Sequence, residues 1–447
     1  MQVTIIGGGS YQWTPELLAD LLGTPSLRGM RLVLEDVDPE PLPKMAALAE
    51  RVDAALAAKA TIAVTTDQKE ALEGADFVIV TISTGGFESM AVDLDVPARH
   101  GVRQSVGDTV GPGGINRALR NIPVLVGVAR DMEALCPDAW LLNITNPMTP
   151  LTRAVARETG IRVVGLCHEV GNWCLDLAIA LGKPAEVIRP VVEGVNHLPV
   201  ITALEVDGED GFDLLREMIE ERGGPQALVA EPTEEAPPFS RADFVRRHLL
   251  SLSLFDRWGA VPAAGDRHVA EFLPSVLTEP SGWGASYNIE LTTIAQRERH
   301  QREYVADVDA WLAGEKELQT WPSGELPAPV IDSLLTGTRR ELPANIPNAG
   351  QCVDLPEAVV VESICVVDGD GIVGRDRSSA PPPFAELLRR HSAVQEMTVA
   401  AALSGDRRLA VSAFDLDPLA GRCDLAEVAS MADELLAGTA RWLPQFS

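Results

Sequence analysis

The sequence predicts an α/β protein whose N-terminal half is built on a doubly wound parallel sheet. Short apolar runs alternate with segments of helical spacing over the first 165 residues. The run FVIVTIS, Phe77 to Ser83, is almost continuously apolar, which is typical of a strand covered by helices on both faces. Three glycines, Gly7 to Gly9, follow the first apolar run and precede the first helical segment. This alternation favours parallel strands joined by helical crossovers.

The elements of this half follow in order along the chain. Val3 to Ile6 is predicted to be the first strand, and Pro15 to Leu22 the first helix. Thr14 is the predicted N-cap, because Pro is favoured at the first helical position. The later elements are the strand Arg31 to Asp38, the helix Lys44 to Leu56, the strands Ala60 to Asp67 and Phe77 to Ser83, the helix Asn116 to Leu135 and the strand Ala139 to Pro147.

Beyond residue 165 the alternation loosens. Arg241 to Leu254 and Ile289 to Leu312 have helical spacing, and Val359 to Ser363 is predicted to be a strand. A chain of 447 residues is too long for one compact core. We therefore expect two domains, 1–165 and 166–447, of which the second is α+β.

Composition excludes several classes of function. The formal net charge of −28 argues against a nucleic-acid partner, because no broad basic face is available to release counterions. No apolar run reaches about 18 residues and no signal peptide precedes the first strand, so we predict a cytoplasmic protein without a membrane partner. The six cysteines are widely spaced, which predicts no disulfide framework and no zinc ribbon.

The glycine-rich turn predicts a dinucleotide site. Gly7, Gly8, Gly9 and Ser10 stand where backbone N–H groups at a helix N-terminus would hold a pyrophosphate. Asp36 ends the second strand, where an acid would bind the ribose hydroxyls and favour NAD over NADP. Gln12 occupies the usual third glycine position, so a purely structural turn stays open as the alternative.

Three clusters in the second half carry groups that could do chemistry. They are GLCHEVGN with Cys167 and His168, GVNHLPV with His197, and AAGDRHVAEF with Asp266, Arg267 and His268. A thiolate and an imidazole could together bind a divalent metal. From the residues alone, a small buried Cys and a core His remain equally ordinary interpretations.

The order and spacing of several stretches resemble glycoside hydrolase family 4, the NAD- and manganese-dependent glycosidases, or the closely allied NAD-dependent sulfoquinovosidases. These stretches are IIGGGSYQWTPELL, LEDVD, ADFVIVTISTGG, VGPGGINRALRNIPV, CPDAWLLNITNP, VGLCHEVGN, GVNHL and IPNAGQCVDLPEAVVVES. The resemblance implies a Rossmann-type domain followed by a C-terminal domain like that of lactate and malate dehydrogenases. It also implies hydrolysis by oxidation at sugar carbon 3, elimination of the aglycone, addition of water and reduction, with NAD and Mn²⁺ as cofactors.

The resemblance also assigns roles to individual residues. Cys167 and His197 match the metal ligands of the family. His168 stands where relatives carry the group that assists the leaving oxygen, and Asn146 matches a residue that contacts the sugar hydroxyls. Asp266 lies in the region that supplies the base for the carbon-2 proton. Without the resemblance, Asp266 could be a surface acid and Asn146 a turn residue.

The substrate implied by the resemblance is a small glycoside. Arg267 and His268 are expected to contact it, and Arg267, Arg103 and Arg299 are candidates for holding an anionic group at carbon 6. The lack of a Tyr-rich run favours an α-galactoside, uronide or sulfoquinovoside over a 6-phospho-β-glucoside, which stays an alternative. An NAD-dependent 2-hydroxyacid dehydrogenase and an NAD-bound regulatory protein are further alternatives. Many relatives are dimers or tetramers, so we expect a homo-oligomer.

Overall fold

The computed structural model describes residues 1–228 and 237–446, and the strands within these ranges form one sheet. The strands are β1 (Gln2–Ile6), β2 (Arg31–Glu35), β3 (Thr61–Thr65), β4 (Phe77–Val80), β5 (Trp140–Asn143), β6 (Arg162–Gly165), β7 (Ile188–Val195), β8 (Leu198–Val206), β9 (Glu209–Asp210), β10 (Val261–Pro262), β11 (Arg340–Pro347), β12 (Val360–Asp368) and β13 (Gly371–Gly374).

The α-helices divide between the two faces of this sheet and its C-terminal end. They are α1 (Trp13–Gly23), α2 (Leu42–Leu56), α3 (Gln68–Leu72), α4 (Gly86–Arg99), α5 (Gly111–Leu135), α6 (Met148–Glu158), α7 (Glu169–Leu181), α8 (Gly211–Glu221), α9 (Arg241–Arg247), α10 (Leu249–Trp258), α11 (Asp266–Val269), α12 (Ile294–Ala313), α13 (Pro327–Thr336), α14 (Pro382–Ser404), α15 (Arg407–Leu416) and α16 (Leu425–Gly438). No described helix is both long and apolar enough to cross a bilayer.

The N-terminal half of the sheet has the order β6-β5-β4-β1-β2-β3, and all of these neighbours are parallel. The strand order reverses between β1 and β4. In such sheets the carboxyl ends of the strands at the reversal border a crevice that binds ligands. The predicted doubly wound parallel sheet is therefore confirmed.

The C-terminal half continues the same sheet with antiparallel strands. β11 joins β6 through the pair Asn345 and Gly165, and β12 joins β7 through Glu362 and Gly194. The order onward from β11 is β12, β7, β8 and β10. The two halves thus share one sheet, and the exact domain boundary at 165/166 stays a prediction.

Burial of apolar strands explains why helices cover both faces. All four residues of β4, FVIV, are buried, which requires an apolar layer on each side. One core lies between the sheet and α1, α2 and α13, and the other between the sheet and α5, α6 and α14 to α16. The last three helices therefore pack back on the N-terminal half. All six cysteines are free, as predicted.

Several predicted helix boundaries were wrong, since α12 begins at Ile294 and α5 at Gly111. The segment Arg241 to Leu254 forms two helices, α9 and α10, because His248 between them leaves the helical region with φ −124° and ψ 36°. Thr14 does not cap α1. It is buried inside the helix, where its hydroxyl donates to the carbonyl of Gly8, while the Ser10 hydroxyl accepts from the backbone N–H of Trp13.

Candidate active site

The glycine turn after β1 is packed so closely that side chains are excluded. The N–H groups of Gly7 and Gly8 donate to the Glu35 carbonyl at 2.9 and 2.7 Å. A Cβ atom on Gly8 would lie 2.9 Å from the Cα atom of Leu34, and one on Gly7 would lie 2.2 Å from a backbone carbonyl oxygen. Gly7 also has φ +87°, which glycine adopts without strain. This turn borders the crevice and can approach a pyrophosphate closely.

Asp36 lies beside this turn, at the end of β2. Its Oδ2 atom accepts a hydrogen bond from the Gly9 N–H at 3.0 Å. Glu35, the preceding residue, is buried, and burial together with the Asp36 charge raises its pKa to about 7. The predicted cofactor residues Gly7, Gly8, Gly9, Ser10 and Asp36 thus occupy one turn, and their contact with NAD stays a prediction.

A compact donor cluster is formed by three residues from separate segments of the chain. Ligand atoms of Asp108, His197 and His268 all lie within 4.8 Å of one another. The two imidazole ring centroids are 3.8 Å apart. Asp108 belongs to the loop before α5, His197 to the tight β7–β8 turn with φ +68°, and His268 to α11. The two histidines stand in motifs that the sequence singles out, whereas no motif assigns a chemical role to Asp108.

Hydrogen bonding fixes the donor atom of His197. Its Nδ1 atom lies 2.7 Å from the Thr109 hydroxyl, and that hydroxyl donates to Asp108 at 2.7 Å. A hydroxyl has one proton, so Nδ1–H must donate to it and the lone pair of Nε2 is left for a ligand. Burial, and then the proximity of His268, lowers the pKa of His197 to about 3. The imidazole is therefore neutral at neutral pH.

The remaining groups of the cluster are also suited to bind a cation. Burial lowers the pKa of His268 to about 4, and its Nδ1 atom is buried without a hydrogen-bond partner among the described residues. Burial alone would raise the pKa of Asp108, but His268, His197 and Arg117 outweigh it and lower this pKa to about 2. One carboxylate and two neutral imidazoles are ligands that Mn²⁺ accepts.

Cys167 is also buried, but it is not among the three residues whose ligand atoms lie within 4.8 Å of one another. Its thiol neighbours Asn196, the residue before His197, and Asn196 Nδ2 lies 3.5 Å from the buried carboxylate of Glu362. Burial, and then Glu362 and Glu169, raises the pKa of the Cys167 thiol well above its usual value. A bound cation would favour the thiolate again. Both predicted metal ligands thus lie in one region of the structure, and their role stays a prediction.

His168 contacts a carboxylate that the sequence gave no reason to single out. Its Nδ1 atom lies 2.5 Å from Oε1 of Glu325, a buried residue just before α13. This hydrogen bond is the main reason that the pKa of His168 is raised to about 9. Glu325 is about 160 positions away in the sequence, and no motif connects the two residues. His168 is therefore held by the C-terminal half.

Asp266 is engaged in structural hydrogen bonds. Its carboxylate accepts from the backbone N–H groups of Leu250 and Ser251 at 2.7 and 3.0 Å, and from the Ser251 hydroxyl at 2.6 Å. It thereby satisfies free N–H groups at the start of α10. Burial raises the pKa of Asp266. The carboxylate also lines a cavity of about 380 Å³ together with Glu169 and Arg267. Its predicted role as a base stays a prediction.

Three arginines surround the donor cluster. Arg117 acts on the pKa of Asp108, and Arg267 and Arg297 act on the pKa of His268, so all three lie within electrostatic range. None of them has a carboxylate oxygen within 4.0 Å in the described part of the chain. In a chain of net charge −28, these three guanidinium groups keep their capacity for an anion.

The hydrogen bonds of these arginines within the described residues are to neutral groups, and Arg267 Nη2 donates to the Ser105 carbonyl at 3.2 Å and to the Thr292 hydroxyl at 2.6 Å. The Arg117 Nε atom donates to the Asn146 carbonyl at 3.0 Å, and Arg297 Nε is buried without a partner among the described residues. The Asn146 side-chain oxygen is likewise buried and unpartnered. Of the other predicted arginines, Arg103 stacks on a tryptophan and Arg299 is exposed beside a glutamate. Arg297, which the sequence did not single out, faces the cluster instead.

Comparison with known proteins identifies the family. The family model "Family 4 glycosyl hydrolase" matches residues 2–182, and its C-terminal domain model matches residues 192–420. An alpha-galactosidase of Bacillus subtilis is 33% identical over 455 residues, covering 100% of this chain and 99% of the relative. An alpha-galacturonidase of Lachnoclostridium phytofermentans is 31% identical over 461 residues, covering 100% and 97%.

Solved structures show the same fold. A 6-phospho-beta glucosidase from Thermotoga maritima, solved with manganese, NAD⁺ and glucose-6-phosphate, is 21% identical with a TM-score of 0.80, covering 99% of both chains. A malate dehydrogenase from Plasmodium falciparum is 12% identical with a TM-score of 0.51, covering 92% of this chain and 99% of the other. The predicted fold, a Rossmann-type domain with a dehydrogenase-like C-terminal α+β domain, is confirmed.

Proposed function

The chain belongs to the family 4 glycosyl hydrolases, and we propose that it hydrolyses α-galacturonides with NAD⁺ and a divalent metal, Mn²⁺. Galacturonides and galactosides share the configuration of the ring and differ at carbon 6, where the galacturonide has a carboxylate. The relatives with near-equal identity act on one or the other, as their names state. The choice therefore depends on the charge that this site offers to carbon 6.

The observation that carries the proposal is the set of three arginines without carboxylate partners around the donor cluster. Arg117, Arg267 and Arg297 present cationic donors near Asp108 and His268. A guanidinium binds a carboxylate through paired hydrogen bonds of fixed geometry. A neutral hydroxymethyl group at carbon 6 would offer these guanidinium groups no carboxylate to bind. The set therefore favours a uronide over a neutral galactoside.

The chain's own residues would hold both cofactors. Gly7 to Gly9, Ser10 and Asp36 would bind NAD⁺, and Cys167 and His197, joined by Asp108 and His268, would bind Mn²⁺. When bound, the nicotinamide supplies reversible hydride acceptance at sugar carbon 3, and the metal supplies Lewis acidity. The unpartnered Nδ1 atom of His268 and the free Nε2 atom of His197 support this assignment.

The remaining roles concern proton transfer and substrate orientation. His168, held by Glu325, would donate a proton to the leaving oxygen. Asn146, with its unpartnered amide oxygen, would accept a hydrogen bond from a sugar hydroxyl. Asp266 remains our proposed base for the carbon-2 proton, and Arg267 and His268 remain proposed substrate contacts. Cytoplasmic location and homo-oligomeric assembly are also part of this proposal.

Kinetics on matched aryl glycosides test the proposal. With NAD⁺, Mn²⁺ and a thiol reductant, we expect kcat/KM for 4-nitrophenyl α-galacturonide to exceed that for the α-galactoside by roughly 100-fold, since charged hydrogen bonds contribute about 1.5–3 kcal/mol each. Arg297→Gln should reduce this preference about 10-fold. Arg299→Gln is the matched control, because Arg299 lies on the same helix and is exposed.

Other outcomes would identify a different activity. A preference for the α-galactoside that Arg297→Gln leaves unchanged would make the chain an α-galactosidase. A preference for a 6-phosphoglucoside would indicate the alternative predicted from sequence. Hydrolysis that continues without NAD⁺ and after chelation of metal would contradict the mechanism altogether. Family membership sets aside the 2-hydroxyacid dehydrogenase and the regulatory protein.

A further inference from the structure

Two adjoining cavities lie beside the active site, between α1 and the segment 315–326. The inner cavity, of about 210 Å³, is lined by Trp13, His168 and Glu325 among others. The outer cavity has about 220 Å³. Gln12 and Glu16 line both, so the two cavities form one cleft. We call it the α1 cleft.

The inner end of the α1 cleft is at His168. Under the proposed function, on which this inference depends, His168 serves the oxygen that leaves with the aglycone. The part of the substrate attached to that oxygen must then lie beside His168. None of Arg117, Arg267 and Arg297 lines either cavity, so the cleft is separate from the proposed carboxylate site.

The outer part of the cleft is lined by aromatic rings. These rings belong to Tyr11, Tyr304, Trp311 and Trp321. Trp321 is 54% exposed, and the Nε1 atom of Trp311 is buried without a hydrogen-bond partner in the described part of the chain. Aromatic side chains offer large, rigid apolar faces with a polar edge. Such faces pack against the apolar faces of sugar rings, and neighbouring amides and carboxylates bind the hydroxyls.

The charge of the cleft is negative. Glu16 and Glu325 line the inner cavity, and Glu16, Asp307 and Glu317 line the outer one. Among the described lining residues, the cation of Lys316 is paired with Asp307 at 2.7 Å, and that of His168 is paired with Glu325 at 2.5 Å. A second carboxylate on the leaving group would meet these acids at short range and be repelled.

We propose that the α1 cleft binds the leaving group and selects a neutral saccharide over one that carries a carboxylate. Hydroxyl groups of a neutral sugar would bind Gln12 and the carboxylates, while its ring packs on Trp321 or Tyr304. The enzyme would then accept an anionic sugar on one side of the scissile bond and reject it on the other. A chain of alternating neutral and acidic sugars fits this pattern better than a chain of acidic sugars alone.

Paired substrates test the selectivity. Each pair shares one α-linked glycone and differs only in the leaving monosaccharide, which is neutral or bears a carboxylate. At pH 8 we expect kcat/KM to be at least ~10-fold higher for the neutral leaving group, because carboxylates only a few ångströms apart repel each other. Glu16→Gln should raise kcat/KM for the anionic leaving group relative to the neutral one, so that the difference within each pair becomes smaller. Equal kcat/KM within each pair would overturn the proposal.

A tryptophan variant tests binding in the outer cavity. Trp321→Ala should lower kcat/KM for a disaccharide leaving group several-fold more than it lowers kcat/KM for the methyl glycoside. Trp283→Ala is the matched control, because Trp283 lines neither cavity and packs on Arg103. If Trp321→Ala weakens NAD⁺ binding instead, the cleft belongs to the cofactor and the proposal is wrong.

Two further measurements separate this inference from the proposed function. If the enzyme does not act on a uronide, the same pairs of leaving groups can be linked to α-galactose. The selectivity of the cleft for the leaving group can then still be measured. Saturation-transfer NMR with a free neutral disaccharide needs no turnover. A signal that is lost in Trp321→Ala supports the cleft even in an inactive protein, and no transfer from the wild-type protein contradicts it.

Discussion

The hydroxyl of Thr109 connects His197 to Asp108, with oxygen distances of 2.7 Å to the imidazole Nδ1 atom and to the carboxylate. This contact fixes the tautomer of His197, because the single hydroxyl proton is donated to Asp108. Thr109→Val removes the contact and keeps the shape. We expect Mn²⁺ affinity to fall roughly 10- to 100-fold, as for other groups that orient metal ligands. Isothermal titration calorimetry on the wild-type and variant proteins measures it.

Thr109→Ser is the control, since it restores the hydroxyl, and its Mn²⁺ affinity should stay within a few-fold of the wild type. An unchanged affinity in Thr109→Val would show that the hydroxyl does not orient a ligand.

His268 should contribute directly to metal binding. Its buried Nδ1 atom has no partner in the described structure, and its ring lies 3.8 Å from that of His197. We expect His268→Ala to weaken Mn²⁺ binding by at least tenfold, from the loss of a ligand. Electron paramagnetic resonance of free Mn²⁺ gives the bound fraction without any measurement of activity. His100→Ala, at a half-buried histidine that contacts Glu434 at 3.0 Å, is the control, and an equal effect there would indicate general destabilisation.

The pH dependence should reveal the pair of His168 and Glu325. The pKa of His168 is raised to about 9, mainly by its hydrogen bond to Glu325. The pKa of His168 is higher in the folded protein than in the unfolded chain, where it is about 6.5, so protonation of His168 stabilises the fold. This contribution is complete below pH 6.5 and is lost as the pH rises through 9. If His168 acts as the acid, the alkaline limb of kcat/KM lies near 9.

Glu325→Gln should move that limb by at least about one pH unit toward the ordinary histidine value, because the carboxylate charge is removed. The profile is measured on a substrate with a poor leaving group. Glu317→Gln serves as the control within the same segment. If the alkaline limb of kcat/KM does not move in Glu325→Gln, His168 is not the group whose deprotonation produces that limb.

Replacement of Asp266 separates its structural role from its proposed chemical one. Asp266→Asn keeps a side-chain oxygen to accept from the start of α10 but is not a base. We expect loss of at least ~100-fold in kcat, consistent with general-base contributions. Deuterium exchange at carbon 2, monitored by NMR in heavy water, should be lost to the same extent as kcat. If exchange persists and only the thermal unfolding midpoint falls, Asp266 is a helix cap and another group is the base.

Stability should depend strongly on one buried ion pair. The Arg120 guanidinium makes two hydrogen bonds to Asp93, at 2.9 and 2.7 Å, and both side chains are almost fully buried. Arg120→Met leaves a buried carboxylate without its partner, which costs about 3–5 kcal/mol. Urea unfolding measures this change. Arg407→Met breaks an exposed pair with Asp433 and should cost less than about 1 kcal/mol.

Short sequence patterns predicted those elements of the fold whose conformation depends on residues close together in the chain. The apolar run at Phe77 and the glycines at Gly7 to Gly9 predicted a buried parallel strand and a tight turn, and both are present. Packing at long range determines the remainder. The sequence around His248 has continuous helical spacing, yet the chain breaks there between two helices.

The same distinction applies to the site. Cys167, His168 and His197 lie in motifs that follow strands, so a sequence can point to them. Glu325 and Arg297 lie in segments without a motif, and only the fold brings them to His168 and His268. Asp108 precedes a glycine-rich stretch, but its proximity to the two histidines depends on the β7–β8 turn, which carries His197, and on α11, which carries His268.

The shared sheet limits how this molecule can open. Gly165 of β6 pairs with Asn345 of β11, so the C-terminal strands are hydrogen-bonded into the frame that carries the nucleotide turn. A hinge between the halves would have to break this pair and detach α14 to α16 from α5 and α6. Substrate exchange must instead use surface elements such as α12, in which Val308 is the one buried residue. Because the proposed reaction returns the hydride to the sugar at each turnover, one dinucleotide molecule can stay bound through many cycles. A sheet that does not open between its halves is compatible with such retention.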